Sequence, residues 1–229
     1  LARPLDWMVL TDHSDGMGMI FDLKVGAPNV LKSEQGKRWS EALQKGGEES
    51  AAAALDLITN FSQGTMDKDL IAGYSPGAPA YRAVWEKTVE AAEKYNDPGT
   101  LTAFIGYEWT SLVKGNNLHR VVVYRDGSDK GGKMVPFTTI EPQGSTTPRD
   151  LWTWLEKYEE TTGGDVLAIA HNGNLANGIM FPMSVQSDNK RIDKAYIEAR
   201  AKWEPLYEVT QIKGDGETHP FLSPDDEFA

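Results

Sequence analysis

Ten residues, EWTSLVKGNN (108–117), separate two runs rich in strand-forming side chains, LTAFIGY (101–107) and LHRVVVYR (118–125). Parallel neighbours in a sheet need a crossover of about a dozen or more residues, normally carrying a helix, whereas a shorter loop readily joins antiparallel strands. The two runs are therefore expected as a hairpin-like pair. Reversal of the chain brings the start of the second run beside the end of the first, so Glu108 and His119 share one edge.

Around that pair the chain reads as one α/β domain spanning 1–229. Residues 5–11 are a short apolar run, better suited by length to a strand than to a buried helix. Residues 15–29 read as loop, and helical stretches at 33–45 and 48–62 follow, so about 20–78 is expected as a helical insertion. In AYRAVWEKTVEAAEKYNDPG, Tyr81, Val84, Trp85, Val89 and Ala92 fall on one helical stripe, and Asn96, Pro98 and Gly99 end it. The polar RDGSDKGGK is expected as a surface loop. TPRDLWTWLEKYEE places Thr147 as N-cap, Pro148 in the first turn, and Leu151, Trp154, Leu155 and Tyr158 on a buried stripe. A strand at 165–170, a helix at 191–203 and a strand at 205–212 complete the order.

Ionisable side chains punctuate these strand ends. Asp12 and His13 follow Thr11, Glu108 follows Tyr107, and His171 and Asn172 follow Ala170. Ligand and catalytic groups gather at strand ends in α/β sheets and barrels, where loops vary over a rigid base. With His119 on the same edge, three of the four histidines converge with Glu108. The chain contains no cysteine, so a metal must be held by His, Asp and Glu, a donor set that suits divalent Zn, Mn or Fe. The competing reading makes each histidine a loop hydrogen-bonding group and pairs Glu108 with Arg120 or Arg125.

Catalytic candidates beside these ligands are Asp12, Arg120 and Asn172. Strand alternation turns Arg120 away from His119, which favours a structural ion pair over a phosphate contact. Asn172 either orients a ligand or satisfies the turn at Gly173. Lys213, Glu217 and His219, in KGDGETHP after the last strand, are candidates for substrate binding at the site mouth, with solvated turn charges as the alternative.

The 34 acidic and 23 basic side chains leave a formal charge of −11, which disfavours an extended nucleic-acid surface. A small molecule is the expected partner. No run of about 18 apolar residues is present to span a bilayer. The chain opens on Leu1 and enters a strand almost at once, so the natural protein is expected to begin earlier.

TDH, GYE, the histidine eleven positions after that glutamate, and AIAH resemble strand motifs of the PHP superfamily, named for polymerase and histidinol phosphatase domains. More closely, LARPLDWMVLTDH, GYEWT with NNLHRVVVYR, AIAHNGN and YEVTQIKGDGETHPFLSPDDEFA are similar to the PHP-like DUF3604 family. The resemblance implies a distorted seven-stranded β/α barrel of PHP, TIM-like type with two or three divalent ions, used by relatives mainly to hydrolyse phosphoesters. It makes His13, Glu108, His119 and His171 the metal ligands. The HxH and DxH motifs usual on the first and last PHP strands are missing, so the chain is expected to be an incomplete barrel without those strands, and metal occupancy is an open expectation. The resemblance also implies an exported bacterial protein, periplasmic ahead of cytoplasmic. Hydrolysis of carbon–nitrogen or carboxylic ester bonds at the same centre, and a non-catalytic binding module, are the alternative functions.

Overall fold

The structure, a computed structural model, describes residues 3–216. Strand β1 (Trp7–Val9) leads into α1 (Met19–Val25), a 3-10 turn (Val30–Lys32), α2 (Glu34–Lys45), α3 (Gly47–Gln63) and α4 (Lys68–Ala72). Helix α5 (Pro79–Tyr95) is followed by β2 (Thr102–Phe104), β3 (Gly106–Trp109), β4 (Leu112–Val113), β5 (Asn116–Asn117) and β6 (Arg120–Tyr124). The one-turn α6 (Ser128–Gly131), α7 (Pro148–Thr162), β7 (Val166–Ala170), α8 (Lys194–Trp203), β8 (Leu206–Tyr207), β9 (Thr210–Gln211) and β10 (Gly214–Asp215) complete the order.

Four strands make a mixed sheet in the order β3-β6-β7-β8, with β6 antiparallel to both neighbours and β7 parallel to β8. The expected hairpin-like pairing is present: Glu108 faces Val121 and Trp109 faces Arg120 across β3 and β6. Strand β1 pairs parallel with β2, and a further bridge joins His13 to Glu108, which brings β1 alongside the β3 edge. The single strand expected at 101–107 is instead two, β2 and β3, interrupted at Ile105. A Cβ on Gly106 would lie 2.5 Å from Val9 Cγ2 and 2.6 Å from the Val122 carbonyl oxygen, so glycine is required where β1 passes this close. The strand expected at 205–212 is likewise divided, into β8 and β9.

Period-two alternation gives the sheet two different faces. Val122, Tyr124 and Ala168 pack with Tyr81, Trp85 and Val89 of α5 and with Leu151, Leu155 and Tyr158 of α7 in the main core. Aromatic contacts run through it, Tyr124 lying 4.9 Å from Tyr158 and 5.9 Å from Trp85 between ring centroids. On the other face Val9, Phe104, Val123, Leu167 and Ile169 are half-buried and line a cavity of about 440 Å³. The strands do not close into a barrel among the described residues.

The helical insertion has a core of its own, with Leu23, Val30, Trp39, Leu57, Leu70 and Tyr74 packed together. Ser33 caps α2 by accepting from the Gly36 amide at 3.2 Å. The loop expected at 15–29 is corrected by α1, whose ends are set by Gly18 and Gly26 in left-handed conformations and whose Met19 and Leu23 are buried against this core. The surface loop at 125–133 contains the single turn α6. At α7, Thr147 occupies the N-cap, but its hydroxyl donates to Asp150 at 2.7 Å and makes no bond to a helix amide. Trp152 joins the buried residues of α7 because α8 covers that side, its Tyr196 ring lying 5.0 Å from Trp152.

Arg120 is fully buried on the core face, where its Nε donates to Glu204 Oε1 at 3.0 Å. Trp152 Nε1 donates to the same oxygen at 2.9 Å. Replacing Glu204 by Gln removes the countercharge of a buried cation, so Glu204→Gln is expected to lower unfolding free energy by about 3–5 kcal/mol. Urea denaturation is the measurement, with Glu160→Gln, on the outer side of α7, as the reference substitution.

Candidate metal centre

The antiparallel register builds the site. Arg120 faces Ala170 across β6 and β7, so the residues one step beyond, His119 and His171, are neighbours, and the His171 amide donates to the His119 carbonyl at 3.2 Å. Glu108 lies on the same sheet face, opposite to Tyr107 and Trp109, which are buried in the main core. His13 arrives from the β1 edge, locked by backbone bonds on both sides: Glu108 N donates to the Asp12 carbonyl at 2.9 Å, and Ser14 N to the Glu108 carbonyl at 2.8 Å. Tyr81 of α5 holds the same loop through its hydroxyl, which donates to the Ser14 carbonyl at 2.8 Å. Farther along, Gly18 (φ +86°) passes so near α5 that an added Cβ would lie 2.6 Å from Val84 Cγ2.

Three imidazoles converge on one carboxylate. His119 Nδ1 lies 3.2 Å and His171 Nε2 3.0 Å from Glu108 Oε1, while His13 Nδ1 contacts Oε2. Glu108, His119 and His171 are buried and His13 is exposed, so the cluster opens to solvent on the His13 side. Thr110, two residues after Glu108 on the same face, lies with its hydroxyl 3.1 Å from His13 Nδ1.

Electrostatics follow from this packing. Burial alone would raise the Glu108 pKa, but hydrogen bonds from His119, His13 and His171 outweigh it and hold the carboxyl well below its ordinary range. The bond to Glu108 raises the pKa of His13 against its desolvation, whereas for His119 desolvation prevails and lowers it. Asp15 is pushed up to about 6 by burial, opposed by hydrogen bonds from the Thr139 amide at 2.8 Å and hydroxyl at 2.9 Å.

The residues present fit a divalent cation. His13, Glu108 and His119 each offer a ligand atom, all within 4.8 Å of one another. Ligands at about 2.0–2.2 Å from a common ion stand up to roughly 4 Å apart, so the group is close to a coordinating arrangement. Buried His119 Nε2 and His171 Nδ1 have no hydrogen-bond partner among the described residues. They are the ring nitrogens that do not face Glu108, so they count as unsatisfied buried polar groups and not as donors beside its carboxylate. His171 touches the shared carboxylate but stands outside that group of three, a correction to the expected four-ligand set.

The remaining candidates separate. Asp12 is exposed beside His13, and no hydrogen bond among the described residues engages its carboxylate. Arg120 is not brought to the site: it points to the opposite face and pairs with Glu204, which corrects the expectation of a catalytic guanidinium. Asn172 is fully buried, but its amide is engaged by the turn, Nδ2 donating to the Gly214 carbonyl at 2.9 Å and Oδ1 accepting from Asn174 N at 3.1 Å. These bonds position the backbone after His171. The Lys213 ammonium donates to the Asn172 and Asn174 carbonyls, and its desolvation lowers its pKa, so it braces the same turn. Glu217 and His219 lie outside the described residues.

Glu208 was not singled out from the sequence. It follows Tyr207 at the end of β8 as Glu108 follows Tyr107 in β3, a repeated Tyr-Glu that marks it. Its Oε2 accepts from Asn172 N at 2.8 Å and Gln211 Nε2 at 2.6 Å, tying β8 to the His171 turn.

The family model described as "Protein of unknown function (DUF3604)" matches residues 1–229, and the chain belongs to that family. No curated protein and no solved structure matches.

A ligand that binds only the folded protein stabilises it by about 2.7 kcal/mol at a free concentration one hundred times its Kd. Zn(II) or Mn(II) is accordingly expected to raise the melting temperature of the wild type after chelator treatment. Glu108→Gln is expected to abolish that rise, as read by differential scanning calorimetry across a metal titration.

Proposed function

We propose that this member of the DUF3604 family is a metal-dependent hydrolase of phosphoesters, on a sheet that represents part of an incomplete seven-stranded PHP-type β/α barrel. The observation that supports this reading is the meeting of His13, His119 and His171 around Glu108 at one end of one sheet face. A divalent cation in such a site supplies Lewis-acid stabilisation of a phosphoryl oxygen and lowers the pKa of bound water.

The chain's own residues define what accompanies that chemistry. His13, Glu108, His119 and His171 would hold one or more ions, and the strands fix their approach. Asp12, exposed beside His13 and with no hydrogen bond among the described residues, is the carboxylate best placed to receive a proton at the open side of the centre. Thr110 steadies His13, while Asn172, Lys213 and Glu208 set the turn that carries His171. The substrate is a small phosphorylated molecule, in keeping with an acidic chain that gives nucleic acid no extended basic surface. No helix among the described residues is long and apolar enough to cross a membrane. A periplasmic location, ahead of the cytoplasm, belongs to the same proposal through the family resemblance.

His171→Ala is expected to abolish turnover of a phosphoester panel in Mn(II) or Zn(II) while leaving the melting temperature of the metal-free protein within a few degrees. Unchanged turnover in that variant would remove the proposal. Hydrolysis of amides or carboxylic esters in place of phosphoesters would transfer the centre to that chemistry, and stoichiometric metal with no turnover of any class would make it a binding module.

A further inference from the structure

The helical insertion has its own core, and it also walls one side of the candidate centre. Between the His13 loop, α1, α3 and α5 lies a cleft of about 640 Å³, lined at one end by Asp12, His13, Thr110 and His119. Ile20, Phe21, Leu57, Ile58, Phe61 and Leu112 form much of the remaining wall. No Lys or Arg lines it among the described residues. Its volume falls within the range of about 300–1,000 Å³ usual for small-molecule sites, which are largely apolar with a few polar groups at fixed points.

Two features single it out. Ile20, Phe21 and Ile58 are more than half exposed although each lines the cleft, so apolar surface is held open to water beside the polar cluster. The polar groups are confined to the end that carries the metal candidates. A sugar or nucleoside would have to leave its hydroxyls and ring nitrogens without partners along the apolar wall, at a desolvation cost that an alkyl or aryl group does not incur.

We propose that the cleft binds the apolar part of an amphiphilic substrate, the phosphoester of a long-chain or aromatic alcohol, with its phosphoryl group at the His13 end. The polar half of this assignment rests on the metal-dependent hydrolase reading, and the apolar half rests on the cleft itself. The acidic residues that line the cleft, Asp12 and Asp15, oppose an anionic headgroup unless a cation offsets them, which orients the ligand with its tail toward α1 and α3.

Binding of alkylphosphonates from methyl to decyl to the Zn(II)-loaded chain, followed by calorimetry, tests this without requiring turnover. Affinity is expected to rise with chain length, by about a hundredfold or more from methyl to decyl. The ratio of decyl to methyl affinity is expected to fall about tenfold in Phe21→Ser and again in Phe21→Ser combined with Ile58→Gln, both at exposed positions. A flat chain-length series overturns the cleft assignment and leaves the hydrolase reading standing. A steep series that persists without Zn(II), with methylphosphonate unbound under both conditions, supports the cleft and removes the metal-dependent reading. A steep series unaffected by both substitutions places the tail elsewhere and overturns the proposal. So does wild-type self-association in sedimentation that Phe21→Ser abolishes, since the cleft then serves a second copy of the chain.

Discussion

A carboxylate buried at a sheet end has few ways to remain charged, and Glu108 uses three imidazoles at once. His119 and His171 reach one oxygen and His13 the other, and together they overcome the desolvation that would otherwise protonate the group. Each imidazole comes from a different strand edge, so the contact is also a statement about topology. It joins the β1 end to the β3-β6-β7 sheet at the point where the backbone of residues 12–14 is already bonded to Glu108. Loss of the register at any of these edges would move one donor by a full residue and turn its side chain to the other face.

The opposite face shows the same physics with a different outcome. Arg120 sits one residue after His119 and is more deeply buried, yet its partner is Glu204 at the end of α8, with Trp152 adding a second donor to that carboxylate. A buried guanidinium with a fixed countercharge stitches α7 and α8 to the sheet on the face away from Glu108. Adjacent basic side chains in the LHR sequence thus have separate tasks because β structure sends successive residues to opposite sides. The helix-covered face holds the fold together, and the other face carries the metal candidates at its end.

Legibility from the sequence followed how local each feature is. The short interval between two strand-like runs was enough to require antiparallel pairing, and that pairing placed Glu108 beside His119. Amphipathic stripes located α5 and α7, because helix periodicity and end chemistry lie within a few residues. Helix α1 escaped because glycines flank only seven residues and its apolar side chains meet a core assembled from α2, α3 and α4. The close approach of Val9 to Gly106, beside the break between β2 and β3, comes from a strand almost a hundred residues earlier. The role of Asn172 was open between ligand and turn, and its turn partner, the Gly214 carbonyl, comes from 42 residues later. A seven-stranded barrel is a property of closure, and the sheet of the described residues neither closes nor excludes closure.

Net charge sharpens the functional argument beyond the ligand geometry. A chain with a formal charge of −11 places Glu108, Asp12 and Asp15 around a site whose proposed substrate is itself anionic. Imidazole hydrogen bonds hold the Glu108 carboxyl well below its ordinary range, while burial disfavours His119 as a cation and the bond to Glu108 favours His13 as one. Phosphate recognition by such a surface requires a positive group, and the basic candidates read from the sequence are committed elsewhere, Arg120 to Glu204 and Lys213 to backbone carbonyls. A divalent ion held by the histidines and Glu108 meets that requirement with groups already gathered for it. The apolar cleft then acquires a definite orientation, because an ion at one end makes that end the place for an anionic head and leaves the walls of α1 and α3 for carbon.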